Sequence, residues 1–182
     1  MLHRILHLKK LNRGEYMNFI GVIIEAKRGK YINKIFSNNL KGKDKVILIH
    51  KDNINNMRNI KFETILILNN NDEIFQKNEI LKFIVSNTKY IIINSDMKNN
   101  LNLLNNLNVN VITYGFNSKA SITASSVTDE EIILCIQRKL KIINGKIIEN
   151  QEIKVNLWKN ITTNEIMGIV SLFLIYDKKF KI

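Results

Sequence analysis

Gly29-Lys30 closes a basic turn, Ala-Lys-Arg-Gly-Lys at residues 26–30, between an apolar run at 18–25 and a helix-patterned segment at 31–40. A strand, a Gly-Lys turn and a helix follow one another in the same way in a phosphate-binding loop. Such a loop uses glycines to bring backbone N–H groups onto phosphate, a lysine on the β/γ-phosphates and a Ser/Thr hydroxyl on Mg²⁺. Tyr31 stands where that hydroxyl belongs, and no glycine precedes Gly29 at the loop's spacing. The turn therefore reads either as an ordinary basic β-to-α connection or as a vestigial phosphate loop. A second set, Asn94, Asp96, Thr113, Tyr114 and Asn117, gathers at the ends of two apolar runs, residues 90–94 and 109–114. An apolar run without alternation is what a strand covered on both faces looks like, and open α/β sheets take ligands at the carboxyl ends of such strands. Those five residues are candidates to line one strand-end crevice. The competing structural reading makes Asp96 the N-cap of the following helix and leaves Gly115 and Asn117 to shape a turn.

The elements that must hold these residues follow from periodicity. Short apolar runs at 18–25, 45–50, 64–68, 90–94 and 109–114 are expected strands, centred on Ile23, Ile47, Ile67, Ile92 and Ile112. Between them lie helix patterns at 31–40 (Ile32, Ile35, Phe36, Leu40), 73–86 and 101–107, with Asp72 as N-cap of the second. Strand alternating with helix through residue 114 predicts a parallel sheet with right-handed crossovers. After Gly115 the period becomes that of antiparallel strands at 119–126, 131–143, 146–148 and 152–158, with Asn144-Gly145 as a hairpin turn whose two central positions need positive φ. A last helix is expected from about 163 to 176, capped by Thr162 or Thr163 and buried through Ile166, Ile169, Val170, Phe173 and Leu174. Gln137, Arg138, Lys139 and Lys141 give the long strand an exposed cationic face or, alternatively, an anion-binding one.

Composition bounds the function classes. The 182 residues are 45% hydrophobic, enough to bury the core of one domain at 18–182 after an N-terminal extension at 1–17. Met17 is an alternative start. Twenty-eight Lys and Arg against 16 Asp and Glu leave a formal charge of +12, which attracts anionic partners in general. The lysines are scattered and rich Asn, Ile and Lys use with no proline fits AT-rich coding, so nucleic acid is not the expected partner. The single Cys135 excludes an internal disulfide, fits a reducing compartment and sits in an apolar run as an inert core thiol. His3, His7 and His50 make no zinc spacing with it, and no metal site is expected. No apolar run is long enough for a membrane span, and the basic start lacks a signal-peptide h-region. The expected setting is the cytoplasm.

Residues 89–176 resemble the later part of the central, ATP-binding domain of the Mur ligases, the peptidoglycan-building amide ligases related to folylpolyglutamate synthase. The resemblance rests on Ile93-Asn94-Ser95-Asp96 at one strand end, on Ile112-Thr113-Tyr114-Gly115-Phe116 at the next, and on the antiparallel strands and helix that follow. It implies an α/β fold with a mostly parallel, Rossmann-like or P-loop-like sheet flanked by helices, an antiparallel β extension and a C-terminal helix. It also implies an ATP site with a Gly-Thr-x-Gly-Lys-Thr loop, of which only Gly29-Lys30 stand here, and Mg²⁺ ligands from a Glu and a His. No His follows His50, and the helix at Thr163-Asn164-Glu165 opens without the family's His-Asn pair. Phosphoryl transfer depends almost wholly on such positioning and charge. The expectation is thus a non-catalytic Mur-like module that binds or scaffolds a partner protein near cell-envelope synthesis in a bacterium, with no cofactor. The alternatives are an α/β enzyme acting on a small molecule or nucleotide such as ATP, which needs Glu25, Asp72 and Asp96 in one pocket, and a nucleic-acid binder.

Overall fold

The computed structural model describes residues 17–40, 42–68, 78–97, 103–104 and 107–179. Residues 1–16 of the expected extension at 1–17, Asp72 and most of the helix expected at 101–107 lie outside them. β1 (Asn18–Ile23), β2 (Asp44–Ile49), β3 (Thr64–Ile67), β4 (Tyr90–Asn94), β5 (Asn110–Tyr114), β6 (Ile122–Val127), β7 (Glu131–Ile136) and β10 (Gln151–Asn156) form an eight-stranded sheet in the order β10-β7-β6-β5-β4-β3-β1-β2. β1 to β5 run parallel, β6 joins β5 through the single parallel pair Tyr114–Ile122, and β7 and β10 run antiparallel. All five strands expected to be neighbours in one sheet are in it. The protein is α/β, with a mostly parallel sheet, an antiparallel extension and a C-terminal helix.

Two cores follow from the direction in which the chain moves across the sheet. From β1 it steps to β2 through α1 (Gly29–Asn39), then recrosses to the other side of β1 and proceeds β3, β4, β5. A right-handed crossover puts its connection on one face for one direction and on the other face for the reverse. Ile32 and Phe36 of α1 accordingly share a core with Ile20, Val22, Leu66 and Ile92, closed by α3 (Thr163–Ile175) through Ile166, Ile169, Val170 and Phe173. On the opposite face α2 (Glu79–Ser86) buries Leu81, Ile84 and Val85 against Ile23, Ile65, Ile67 and Ile91, beside a 3-10 turn at Ile54–Met57. After its polar first turn α3 is apolar all round apart from the buried Ser171, as its burial requires.

Four local expectations change. α1 begins at Gly29, not at Tyr31, because a 3-10 turn at Ala26–Arg28 leads straight into it. α2 is capped by Asn78, whose extended backbone starts the helix and whose side chain accepts from Ile80 and Leu81 N–H at 3.0 and 3.1 Å. The run at 131–143 is two strands: after Ile136 the chain leaves the sheet and builds a small hairpin from β8 (Leu140–Lys141) and β9 (Ile147–Ile148). Cys135 is partly exposed, because β7 alternates and turns Ile132, Leu134 and Ile136 to the core.

The β8–β9 turn is longer than a two-residue loop. Gly145 N–H donates to Ile142 O and Ile142 N–H to Lys146 O, both at 2.9 Å, and only Gly145 has positive φ, at 86°. That is the three-residue hairpin, in which one left-handed residue follows the turn. Asn144 instead accepts from Lys146 N–H at 3.0 Å and donates to Asp177 at 3.0 Å. Gly145→Val is expected to cost about 1–3 kcal/mol through backbone strain alone, since no atom lies within 4 Å of the added Cβ. A melting temperature equal to that of the unmodified protein would remove this turn from the account.

Candidate functional site

The strand order reverses between β1 and β3, and the carboxyl ends of those two strands frame the crevice where a doubly wound sheet takes its ligand. A cavity of about 260 Å³ opens there, lined by Ile24 and Glu25 after β1, Lys27 and Arg28 of the 3-10 turn, Leu68 after β3, and Thr162 and Glu165 at the start of α3. Arg28 spans it. Its Nε donates to Glu165 Oε1 at 2.9 Å and its Nη2 to Glu165 Oε2 at 2.6 Å, a two-pronged ion pair, while Nη2 also reaches Asn160 O at 2.6 Å. The guanidinium lies 5.7 Å from the Tyr31 ring centre. Asn160 sits at φ 63°, a left-handed position that asparagine tolerates better than most residues, and this turn aims its carbonyl at Arg28.

Glu165 does double service. Thr162 Oγ1 accepts from Glu165 N–H at 3.2 Å, and Glu165 Oε2 accepts from Thr162 N–H at 2.8 Å, a reciprocal capping box at the positive end of α3. Burial pushes its carboxyl up, but the hydrogen bonds from Arg28 and the Thr162 backbone and the Arg28 charge outweigh burial and hold it below the ordinary carboxylate range. The same pairing, against a smaller effect of burial, raises Arg28 above its usual value. Glu25 and Lys27 pair with each other at 2.8 Å on the open side.

The first turn of α1 is not free to cradle phosphate. Arg28 N–H donates to Glu25 O at 2.9 Å and Gly29 N–H donates to Ala26 O, so the 3-10 turn uses donors that a phosphate loop leaves pointing at its ligand. Gly29 has ordinary helical φ and ψ of −52° and −41°, and Lys30 projects from the helix, exposed.

Asn94, Asp96 and Asn117 do come together, as a lock on the β5–β6 loop. Asp96 Oδ2 accepts from Phe116 N–H at 2.8 Å, and Oδ1 from Asn117 N–H at 3.1 Å and from its side-chain amide at 2.7 Å. That amide also donates to Ser95 Oγ at 2.7 Å. Asn94, buried, accepts from Asp96 N–H at 2.8 Å and so fixes the carboxylate in place. Gly115 makes the contact possible: a Cβ there would lie 2.7 Å from Asp96 Oδ1. Asp96 therefore anchors the loop after the next strand, and the start of the helix it is expected to cap lies outside the described residues. Thr113 accepts from Ser121 N–H at 2.9 Å and joins β5 to the start of β6. Tyr114 is in the core, its hydroxyl on Ile67 O at 2.7 Å and pushed up from its ordinary pKa, first by burial and then by Glu165 and Asp96.

The two candidate groups are thus separate. β3 and β4 stand between β1 and β5, which at the usual strand spacing puts their ends roughly 14 Å apart. Of the acidic residues expected to converge, Glu25 lines the crevice, Asp96 holds the loop, and Asp72 lies outside the described residues. Among the described residues, no group of His, Cys, Asp and Glu is placed to hold a metal ion. Nor is any helix among them long and apolar enough to cross a membrane. Arg28 and Glu165, the polar centre of the crevice, are the residues that sequence reasoning passed over; Thr162-x-x-Glu165 was the readable signal, the capping-box pattern before an apolar run. Searches against known protein families and against curated proteins return no match.

Proposed function

We propose that this chain is a non-catalytic module on the plan of the Mur-ligase central domain, which binds or scaffolds a partner protein in the cytoplasm of a bacterium, near cell-envelope synthesis. The order of its segments supports the plan: a parallel strand ending Asn94-Ser95-Asp96, the next ending Thr113-Tyr114-Gly115, then antiparallel strands and a closing helix. A single cysteine suits a reducing compartment.

One observation carries the non-catalytic reading: the Glu165 carboxylate, clasped by Arg28, stands in the switch-point crevice. A nucleotide would bring its phosphates there as the anion. Here the protein supplies its own anion and its own counter-cation, and the turn at Arg28 and Gly29 has spent its N–H donors. A phosphoryl group would have to displace a two-pronged ion pair to bind, and would find Tyr31 in place of the Ser/Thr hydroxyl that holds Mg²⁺ in a phosphate loop.

The alternative is an α/β enzyme for a small molecule, and the open cavity of about 260 Å³ beside Glu25 and Lys27 is what favours it. One screen separates the two. Melting temperature is measured with ATP, ADP, UDP-sugars and oligonucleotides, each with and without Mg²⁺, alongside an assay of ATP turnover. The proposed reading expects no nucleotide-dependent shift and no Mg²⁺-dependent turnover. Turnover above background that disappears in Lys30→Ala would overturn it, and stabilisation by one small molecule alone would favour the enzyme.

A further inference from the structure

β10 ends the described sheet, and its free edge is unguarded in most of the ways natural edges are guarded. It is six residues long, carries no proline and pairs with β7 in unbroken register, whereas the β6–β7 ladder has a bulge between Ala124 and Ser126. The direction of its free backbone groups follows from one bond. Leu157 N–H donates to Glu130 O at 2.7 Å, in the register of the β10–β7 ladder. Alternation by two then turns Val155, Ile153 and Gln151 towards β7, and leaves the N–H and C=O of Glu152, Lys154 and Asn156 pointing outward.

We infer that this edge pairs with the same edge of a second copy, antiparallel, about a two-fold axis through Ile153. Only outward-facing residues can exchange hydrogen bonds across such a joint, which restricts the registers to those pairing Glu152, Lys154 and Asn156 among themselves or with Asn150. Charge then selects one. Placing Glu152 opposite the partner's Glu152, or Lys154 opposite the partner's Lys154, sets like charges face to face, which destabilises an antiparallel pair. With the axis at Ile153, each Glu152 meets a Lys154 of the other copy, twice by symmetry, and the two exchange both backbone hydrogen bonds. Ile153 meets Ile153 as the closely spaced, non-bonded pair between them, extending the half-buried core it already borders. Lys154 pairs with Glu131 within its own chain, while Glu152 has no ion-pair partner among the described residues, so the second copy completes a Glu131–Lys154–Glu152 row of alternating sign. A lysine on an edge ordinarily repels other strands; in this register it becomes the selective element, because only a strand carrying an acid opposite it is accepted. A joint of one ladder buries less than the roughly 1,600 Å² of a standard interface, so the dimer is concentration-dependent.

The test is sedimentation velocity over a concentration series on the protein, on Glu152→Lys and on Lys154→Glu, with circular dichroism as the check on folding. The protein is expected to move from monomer to dimer as concentration rises, with backbone N–H groups of Glu152 and Lys154 gaining exchange protection as it does. Each single reversal places like charges at both pairs and is expected to weaken self-association about ten-fold or more. Mixing the two variants restores every unlike pair, so a heterodimer forms from two proteins that stay monomeric alone. Monomer at every concentration would overturn the inference. So would a dimer undiminished by either reversal, or variants that fold and fail to associate on mixing.

Discussion

Tyr114→Ala is expected to lower stability by about 3–5 kcal/mol, the range for removing a buried aromatic ring, and so to lower the melting temperature by roughly 6–20 °C for a chain of this size. Tyr114 is among the largest fully buried side chains. Its ring fills the space left by Gly168 on α3, where an added Cβ would lie 3.0 Å from its Cζ and 2.6 Å from Leu68 Cδ2. Tyr114→Phe isolates the hydroxyl. That variant keeps the ring but leaves Ile67 O without its buried donor, and is expected to cost about 1–3 kcal/mol. Because the hydroxyl pKa is pushed up, it stays protonated and the loss is the same across neutral and mildly alkaline pH. A Phe variant as stable as the unmodified protein would place the Ile67 carbonyl in contact with water. A large loss in both variants with no change at Thr113 would confirm that this strand end is core, not a ligand wall.

Strand existence was legible because Ile20 to Ile24, Ile65 to Leu68 and Ile91 to Ile93 are apolar without alternation, which a doubly covered parallel strand requires. The helix faces of Ile32, Phe36 and Ile166 to Phe173 were legible from the 3.6-residue period. Side-chain direction at strand ends was not. Thr113 and Tyr114 are consecutive and point to opposite faces, so one reaches Ser121 and the other Ile67, and nothing local states which lies under a helix. The Asn94–Asp96–Asn117 lock joins residues about 20 apart across two strand ends, legible as polar loop residues but not as a network. Arg28 and Glu165 are 137 residues apart, and a single sequence carries no sign that a cation in the first turn will meet an acid in the last helix.

Glu165 joins the cap of α3 to the ion pair of the crevice. Glu165→Ala removes the capping-box acceptor and strands Arg28, and is expected to cost about 2–4 kcal/mol: about 1 kcal/mol from the cap, the rest from the ion pair. The second part stays below the 3–5 kcal/mol of a fully buried pair, because the Arg28 side chain is 25% exposed while that of Glu165 is 9% exposed. Glu165→Gln tests the charge itself, since glutamine at this position can still bond the Thr162 N–H. The folded carboxyl is held below the ordinary range, so on acidification the unfolded chain takes up this proton first. The stabilisation is therefore complete above the unfolded value of about 4.3 and is lost as pH falls through the folded value. The stability difference between the unmodified protein and Glu165→Gln, measured by denaturant unfolding, should be constant from about pH 8 to pH 6 and shrink as the pH falls below the unfolded value. Arg28→Gln in the same series should weaken or reverse that pH dependence, because burial, which raises the carboxyl, is then opposed only by the Thr162 hydrogen bonds. A difference that stays flat from neutral to acid pH would mean that Glu165 is not held ionised by Arg28, and the crevice would then lack the internal anion on which the non-catalytic reading depends.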